Sequence, residues 1–75
     1  MNEFKISLKA CRINAELTQT EAGSKLGVTK ETIMKWETGK VVPKAYQLDA
    51  LSHLYNVPIE NILLPDKSPL RVQNH

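Results

Sequence analysis

The chain has 75 residues, ten Lys and Arg against eight Asp and Glu for a net charge of +2, a hydrophobic share of 41% and a single cysteine. That length holds one small domain, and that composition is too apolar for a disordered chain. One cysteine excludes an internal disulfide, no Cys and His spacing suits a metal, the apolar runs are too short to span a bilayer, and MNEFKISLK lacks a signal-peptide core. The expected location is therefore cytoplasmic, with no membrane partner.

No stretch alternates apolar and polar residues over a strand's length, so the expected fold class is all-α. Phe4, Leu8, Cys11 and Ala15 recur at helical spacing and share one face of a first helix over about 5–15. In Thr18-Gln-Thr-Glu21, the threonine hydroxyl and the glutamate form a capping box that opens a second helix over about 19–26. Gly27 stops it in the left-handed conformation. Thr29 is the next N-cap, for a third helix over about 30–38 with Gly39 as its stop. A fourth helix over about 46–55 carries Leu48, Leu51, Leu54 and Tyr55 on one face. Pro58 opens the first turn of a short fifth helix with Ile59, Ile62 and Leu63, and Pro65 ends it. Residues 1–65 thus make one domain. The stretch 66–75 has no apolar period and reads as a flexible tail.

On a wheel of 100° per residue, Ile33, Trp36 and Glu37 of the third helix fall on one core-facing arc. Glu31, Lys35 and Thr38 lie opposite, Met34 sits at the edge, and Lys30 and Thr32 flank this outward face. A helix fits the major groove of DNA, where each base pair shows its own donor and acceptor pattern. Lysine can donate to guanine O6 and N7, glutamate can accept from cytosine N4, and threonine and methionine can touch a thymine methyl. The short Gly27-Val28 joint sets the second and third helices as a helix-turn-helix, the first crossing the phosphate backbone and the second entering the groove. The N-terminus of the second helix, with Thr18 and Gln19, has free N–H groups and a positive dipole end suited to phosphate. Lys40 and Lys44, just past the third helix, can reach phosphates on the other side. Lys25 to Lys44 holds five lysines against Glu31 and Glu37, net +3, whereas 45–66 holds three acidic residues and no Lys or Arg, net −3. Such a division orients a molecule toward a polyanion.

The run from Leu8 to Leu64 resembles the XRE, or lambda-repressor-like, helix-turn-helix family. LTQ at 17–19, LGV at 26–28, WETGK at 36–40, Pro43 and YNVPIENIL carry the resemblance together. It implies a compact five-helix DNA-binding domain that works as a dimer on a palindromic operator. By matching position it makes Gln19 a phosphate contact, Lys30, Glu31 and Lys35 base readers, and Thr29 and Lys40 backbone contacts. It also pairs Arg12 with Glu37, and the wheel supports that pairing, since a carboxylate on the buried arc needs a partner. The complete expected sets are Lys30, Glu31, Thr32, Met34 and Lys35 for bases, and Thr18, Gln19, Thr29, Thr38, Lys40 and Lys44 for phosphates. Two departures stand out. Ala22 and Gly23 replace a larger aliphatic residue and alanine. Pro58 replaces the capping Ser or Asp of the fifth helix.

Other roles for these residues are open at this point. Glu31 suits the helix dipole as well as a base, and Met34 suits surface, a methyl contact or a dimer contact. Trp36 and Cys11 read as core side chains, and His53 and His75 as surface groups. No catalytic constellation, metal spacing or phosphate-binding glycine loop appears, and no cofactor or small-molecule ligand is expected. The reading is a transcriptional regulator, most simply a repressor of phage or mobile-element type. It works as a homodimer joined through the region of the fifth helix. The competing reading is an antitoxin-like or adaptor module whose main partner is another protein.

Overall fold

The N-terminal end departs from the helical expectation at once. In a computed structural model that describes residues 4–65, Ile6–Ser7 forms a short strand, β1, and the first helix, α1, runs Leu8–Asn14. Ser7 is its N-cap, its hydroxyl accepting from the Ala10 N–H at 3.1 Å. Phe4 therefore stands outside the helix and is 61% exposed, although its spacing to Leu8 mimics a helical face. Leu8 and Cys11 do enter the core, and Ala15 caps the C-terminus half-buried.

Helix α2, Gln19–Leu26, and helix α3, Lys30–Thr38, begin and end at the positions their local chemistry dictates. The Thr18 hydroxyl accepts from the Glu21 N–H at 3.0 Å, and the Glu21 carboxylate accepts from the Thr18 N–H at 2.9 Å. Gly27, at φ 74°, and Gly39, at φ 85°, supply the left-handed stops that a side chain would strain. Helix α4, Ala45–Tyr55, ends at Asn56, also left-handed. Leu51 and Tyr55 are buried on it, with Leu48 and Leu54 half-buried beside them.

The chain holds four α-helices among the described residues, one fewer than expected. Where a fifth was read, Ile59–Asn61 makes a single 3-10 turn and Ile62–Leu63 a second strand, β2. Strand β2 pairs in parallel with β1, Ile6 opposite Ile62 and Ser7 opposite Leu63. Three features explain the change. Pro58 gives the turn no side-chain cap, the turn is too short to propagate a helix, and the backbone of 6–7 offers ladder partners instead. Lys5 Nζ donates to the Glu60 carbonyl at 3.0 Å and Asn61 Nδ2 to the Phe4 carbonyl at 2.6 Å, closing the seam between the two ends. The proposed tail over 66–75, with His75 in it, lies outside the described residues.

The core joins Leu8 and Cys11 of α1, Ala22 of α2, Ile33 and Trp36 of α3, Leu51 and Tyr55 of α4, and Ile62 of β2. At the α2–α3 joint, Gly23 lies so close to the turn that a Cβ there would sit 2.7 Å from the Val28 carbonyl oxygen and 3.2 Å from Thr29. The missing side chain lets the two helices meet. Helical glycine costs about 1 kcal/mol relative to alanine in an open helix, and here close packing offsets it.

Candidate nucleic-acid interface

Helix α3 divides as its wheel requires. Ile33 and Trp36 are 1% and 3% exposed, and their burial fixes the roll of the helix. Lys30, Glu31, Met34 and Lys35 are left exposed on the other side, and Thr32 is half-buried between the two faces. Beside the C-terminal half of α3 is an open depression of about 230 Å³, lined by Met34, Lys35, Thr38 and Lys40. All five lysines from Lys25 to Lys44 are exposed.

Glu37 faces the opposite way. Arg12 Nε donates to Glu37 Oε2 at 2.6 Å and Nη2 to Oε1 at 3.2 Å, a two-pronged pair with side chains only 10% and 5% exposed. Arg12 Nη1 donates further to the Leu17 carbonyl at 3.0 Å, which anchors the loop ahead of α2. Hydrogen bonding to Glu37 raises the Arg12 pKa above its ordinary value against the opposing effect of burial. Tyr55 packs nearby, its phenol pushed up to about 12, first by burial and then by the Glu37 charge. Burial likewise raises the Cys11 thiol, as expected of a core group rather than a nucleophile. With Glu37 neutralised inward, the exposed charge of segment 25–44 is five lysines against Glu31, net +4.

The hydroxyl and amide groups assigned to phosphate or base contact have partners within the fold, and these limit what each can offer. Thr18 Oγ1 accepts from Glu21, which leaves its proton to donate. Thr29 Oγ1 accepts from the Thr32 N–H at 3.1 Å and meets Thr32 Oγ1 at 3.0 Å. One hydroxyl proton of that pair is consumed between them, so one remains to donate outward. Thr38 donates to the Met34 carbonyl at 3.0 Å and stays within its own helix, so its hydroxyl can only accept. A phosphate oxygen is also an acceptor, which makes Thr38 a poor phosphate ligand. Gln19, read as facing a phosphate, donates from Nε2 to Glu37 Oε1 at 3.2 Å and is half-buried. Sequence reasoning missed this bond. Glutamine can face inward or outward, and nothing local marks a partner 18 positions away. Helix geometry leaves the Gln19 and Thr20 N–H groups without an intrahelical acceptor at the same end of α2.

Lys44 is exposed at the N-cap of α4, its N–H donating to Gln47 Oε1 at 2.8 Å, and Lys40 is exposed just after the Gly39 stop of α3. His53, on the exposed side of α4, lies 3.8 Å from Asp49 Oδ2. Among the described residues no cluster of His, Cys, Asp and Glu is arranged to hold a metal, and no helix is long and apolar enough to cross a membrane.

Residues 8–62 match the helix-turn-helix family. The chain is 34% identical over 61 residues to the HTH-type transcriptional activator BcrR of Enterococcus faecalis, covering 81% of this chain and 30% of BcrR. It is 30% identical over 60 residues to the cryptic phage CTXphi transcriptional repressor RstR of Vibrio cholerae, covering 80% of this chain and 54% of RstR. An uncharacterised HTH-type transcriptional regulator of Archaeoglobus fulgidus is 32% identical over 67 residues, 89% of this chain and 94% of its own length. The chain therefore spans 30% of the first relative and 54% of the second. No solved structure matches it.

Proposed function

The chain belongs to the XRE-type helix-turn-helix family of DNA-binding transcription regulators, and from that premise we propose that it is a cytoplasmic repressor that binds a palindromic operator as a homodimer. The observation that carries this reading is the division of α3, with Ile33 and Trp36 locked in the core and Lys30, Glu31, Met34 and Lys35 exposed together. In the groove, Lys30 and Lys35 donate to guanine edges, Glu31 accepts from cytosine, and Met34 and Thr32 meet thymine methyls. Thr18, Gln19 and the first N–H groups of α2 take one phosphate. Thr29 takes another at the start of α3, and Lys40 and Lys44, past its end, take phosphates on the other side.

Occupancy of an operator is enough to repress, and it asks no further surface of the domain. The named phage repressor among the relatives supports that sign, and the named activator is the competing outcome. One module of this size makes few base contacts, so dimerisation doubles the site. Ile62 cannot serve the dimer contact first read for it, because it is 7% exposed in the protein's own core. Ile59 and Leu63, at 40% and 53% exposed, remain, with Phe4 close by across the seam.

Selection of bound duplexes from a random library tests the reading. The expected outcome is an inverted repeat with half-sites about one helical turn apart. A recovered site without internal symmetry would overturn the dimer, and no enrichment at all would overturn sequence-specific binding.

A further inference from the structure

Glu37 holds more than Arg12. Its Oε1 accepts from both Arg12 Nη2 and Gln19 Nε2, each at 3.2 Å, while Oε2 takes Arg12 Nε at 2.6 Å. The carboxylate is 5% exposed, yet Gln19 is the first residue of α2, where the backbone N–H groups lack intrahelical acceptors. One buried ion pair therefore reaches, through a single amide, the end of the helix that crosses the DNA backbone.

We propose that Glu37 is a positioning residue for DNA binding: clamped by Arg12, it orients the Gln19 side-chain amide so that the amide's remaining N–H serves the same backbone phosphate as the N-terminus of α2. A carboxylate only accepts hydrogen bonds, so it selects the amide orientation with Nε2 toward it. A free glutamine would sample both orientations and lose side-chain entropy on binding, whereas the held one has already lost it. The ligand is a phosphodiester of the duplex backbone, and the contact carries no sequence information. This inference rests on the reading of α2 and α3 as the DNA-binding surface.

The test uses three variants of the full chain, titrated on a short duplex of arbitrary sequence at several salt concentrations, with folding followed by circular dichroism. They are Gln19→Met, the pair Arg12→Met with Glu37→Met, and all three substitutions together. The pair removes one positive and one negative charge, so the net attraction to DNA is unchanged. Exchanging a buried ion pair for apolar side chains of similar volume is often neutral or stabilising. The expected result is that Gln19→Met and the pair each weaken binding about three- to tenfold, the range of one net hydrogen bond. The triple variant is no weaker than either. The salt slope stays constant, because a neutral amide releases no counterion. A pair variant that binds like the native chain overturns the inference, as does a triple variant weakened by the product of the two factors. If Gln19→Met alone binds unchanged while the native chain binds, the positioning role falls and the proposed function stands. If the native chain binds no duplex, the proposed function falls with it. A second measurement needs only the native chain. By NMR, the Gln19 side-chain amide protons should exchange with solvent more slowly than those of an exposed glutamine before DNA is added, and should shift when it is. Amide protons that exchange as fast as those of an exposed glutamine and ignore the duplex overturn the proposal even if the pair variant fails to fold.

Discussion

The helix-turn-helix unit and the seam between β1 and β2 are held together by different means. Helices α2 and α3 are each closed by groups within a few residues of their ends, Thr18 and Glu21, Gly27, Thr29 and Gly39. They meet through a glycine that leaves no room for a Cβ. The seam joins segments 55 or more positions apart through a two-residue parallel ladder and two side-chain-to-backbone bonds. The first arrangement supports α3 from beneath, so its outward face is free to carry Lys30, Glu31 and Lys35, with Met34 exposed among them. The second leaves Phe4, Ile59 and Leu63 exposed. Under the proposed function, the locally closed unit carries the helix that enters the groove, and Phe4, Ile59 and Leu63 of the seam are among the exposed apolar side chains a second chain would cover.

The largest effect should come from the ion pair beneath the helix-turn-helix unit. Arg12→Ala leaves Glu37 buried with only Gln19 to donate to it, and removes the clamp on the Leu17 carbonyl. A loss of about 3–5 kcal/mol is expected, most of the stability of a domain this small. An unchanged thermal melt would show that the buried pair supports nothing. Next comes Gly23→Ala. Helix propensity alone predicts a gain of about 1 kcal/mol, but the new Cβ must push the Val28 carbonyl away from 2.7 Å. The close approach should win, with a net loss of about 1–3 kcal/mol from overpacking. A stabilised variant in chemical denaturation would show that the joint is loose. The seam should respond least. Asn61→Ala removes the bond to the Phe4 carbonyl and should cost about 1 kcal/mol. Amide exchange should quicken at Ile6 and Ser7 and stay unchanged in α2 and α3. Faster exchange throughout would mean the two regions open as one.

The same contrast explains what could be read in the sequence. The limits of α2 and α3 were legible because Thr18, Glu21, Gly27, Thr29 and Gly39 act on their own neighbours. The outward set on α3 was legible because burying Ile33 and Trp36 determines the rest by rotation. The Phe4 and Leu8 spacing misled the reading of α1, although Ser7, a good N-cap, marked its true start. The parallel pairing of β1 with β2 had no local signature, and the apolar residues after Pro58 fit a short helix equally well. Within the site, the inward bond of Gln19 and the self-satisfied hydroxyl of Thr38 depend on side-chain orientation, which spacing does not encode.

The central claim is that the outward face of α3 reads bases while the residues beyond it hold the backbone. It is tested most directly by titrating Lys35→Ala and Lys40→Ala on a selected site and on a scrambled duplex at several salt concentrations. Lys35→Ala should cost about 1–3 kcal/mol on the selected site and relax preference at one or two base pairs. Lys40→Ala should weaken both duplexes nearly alike and lower the salt slope by about one per subunit. If Lys35→Ala instead weakens both duplexes equally and Lys40→Ala alters sequence preference, α3 does not enter the groove as described.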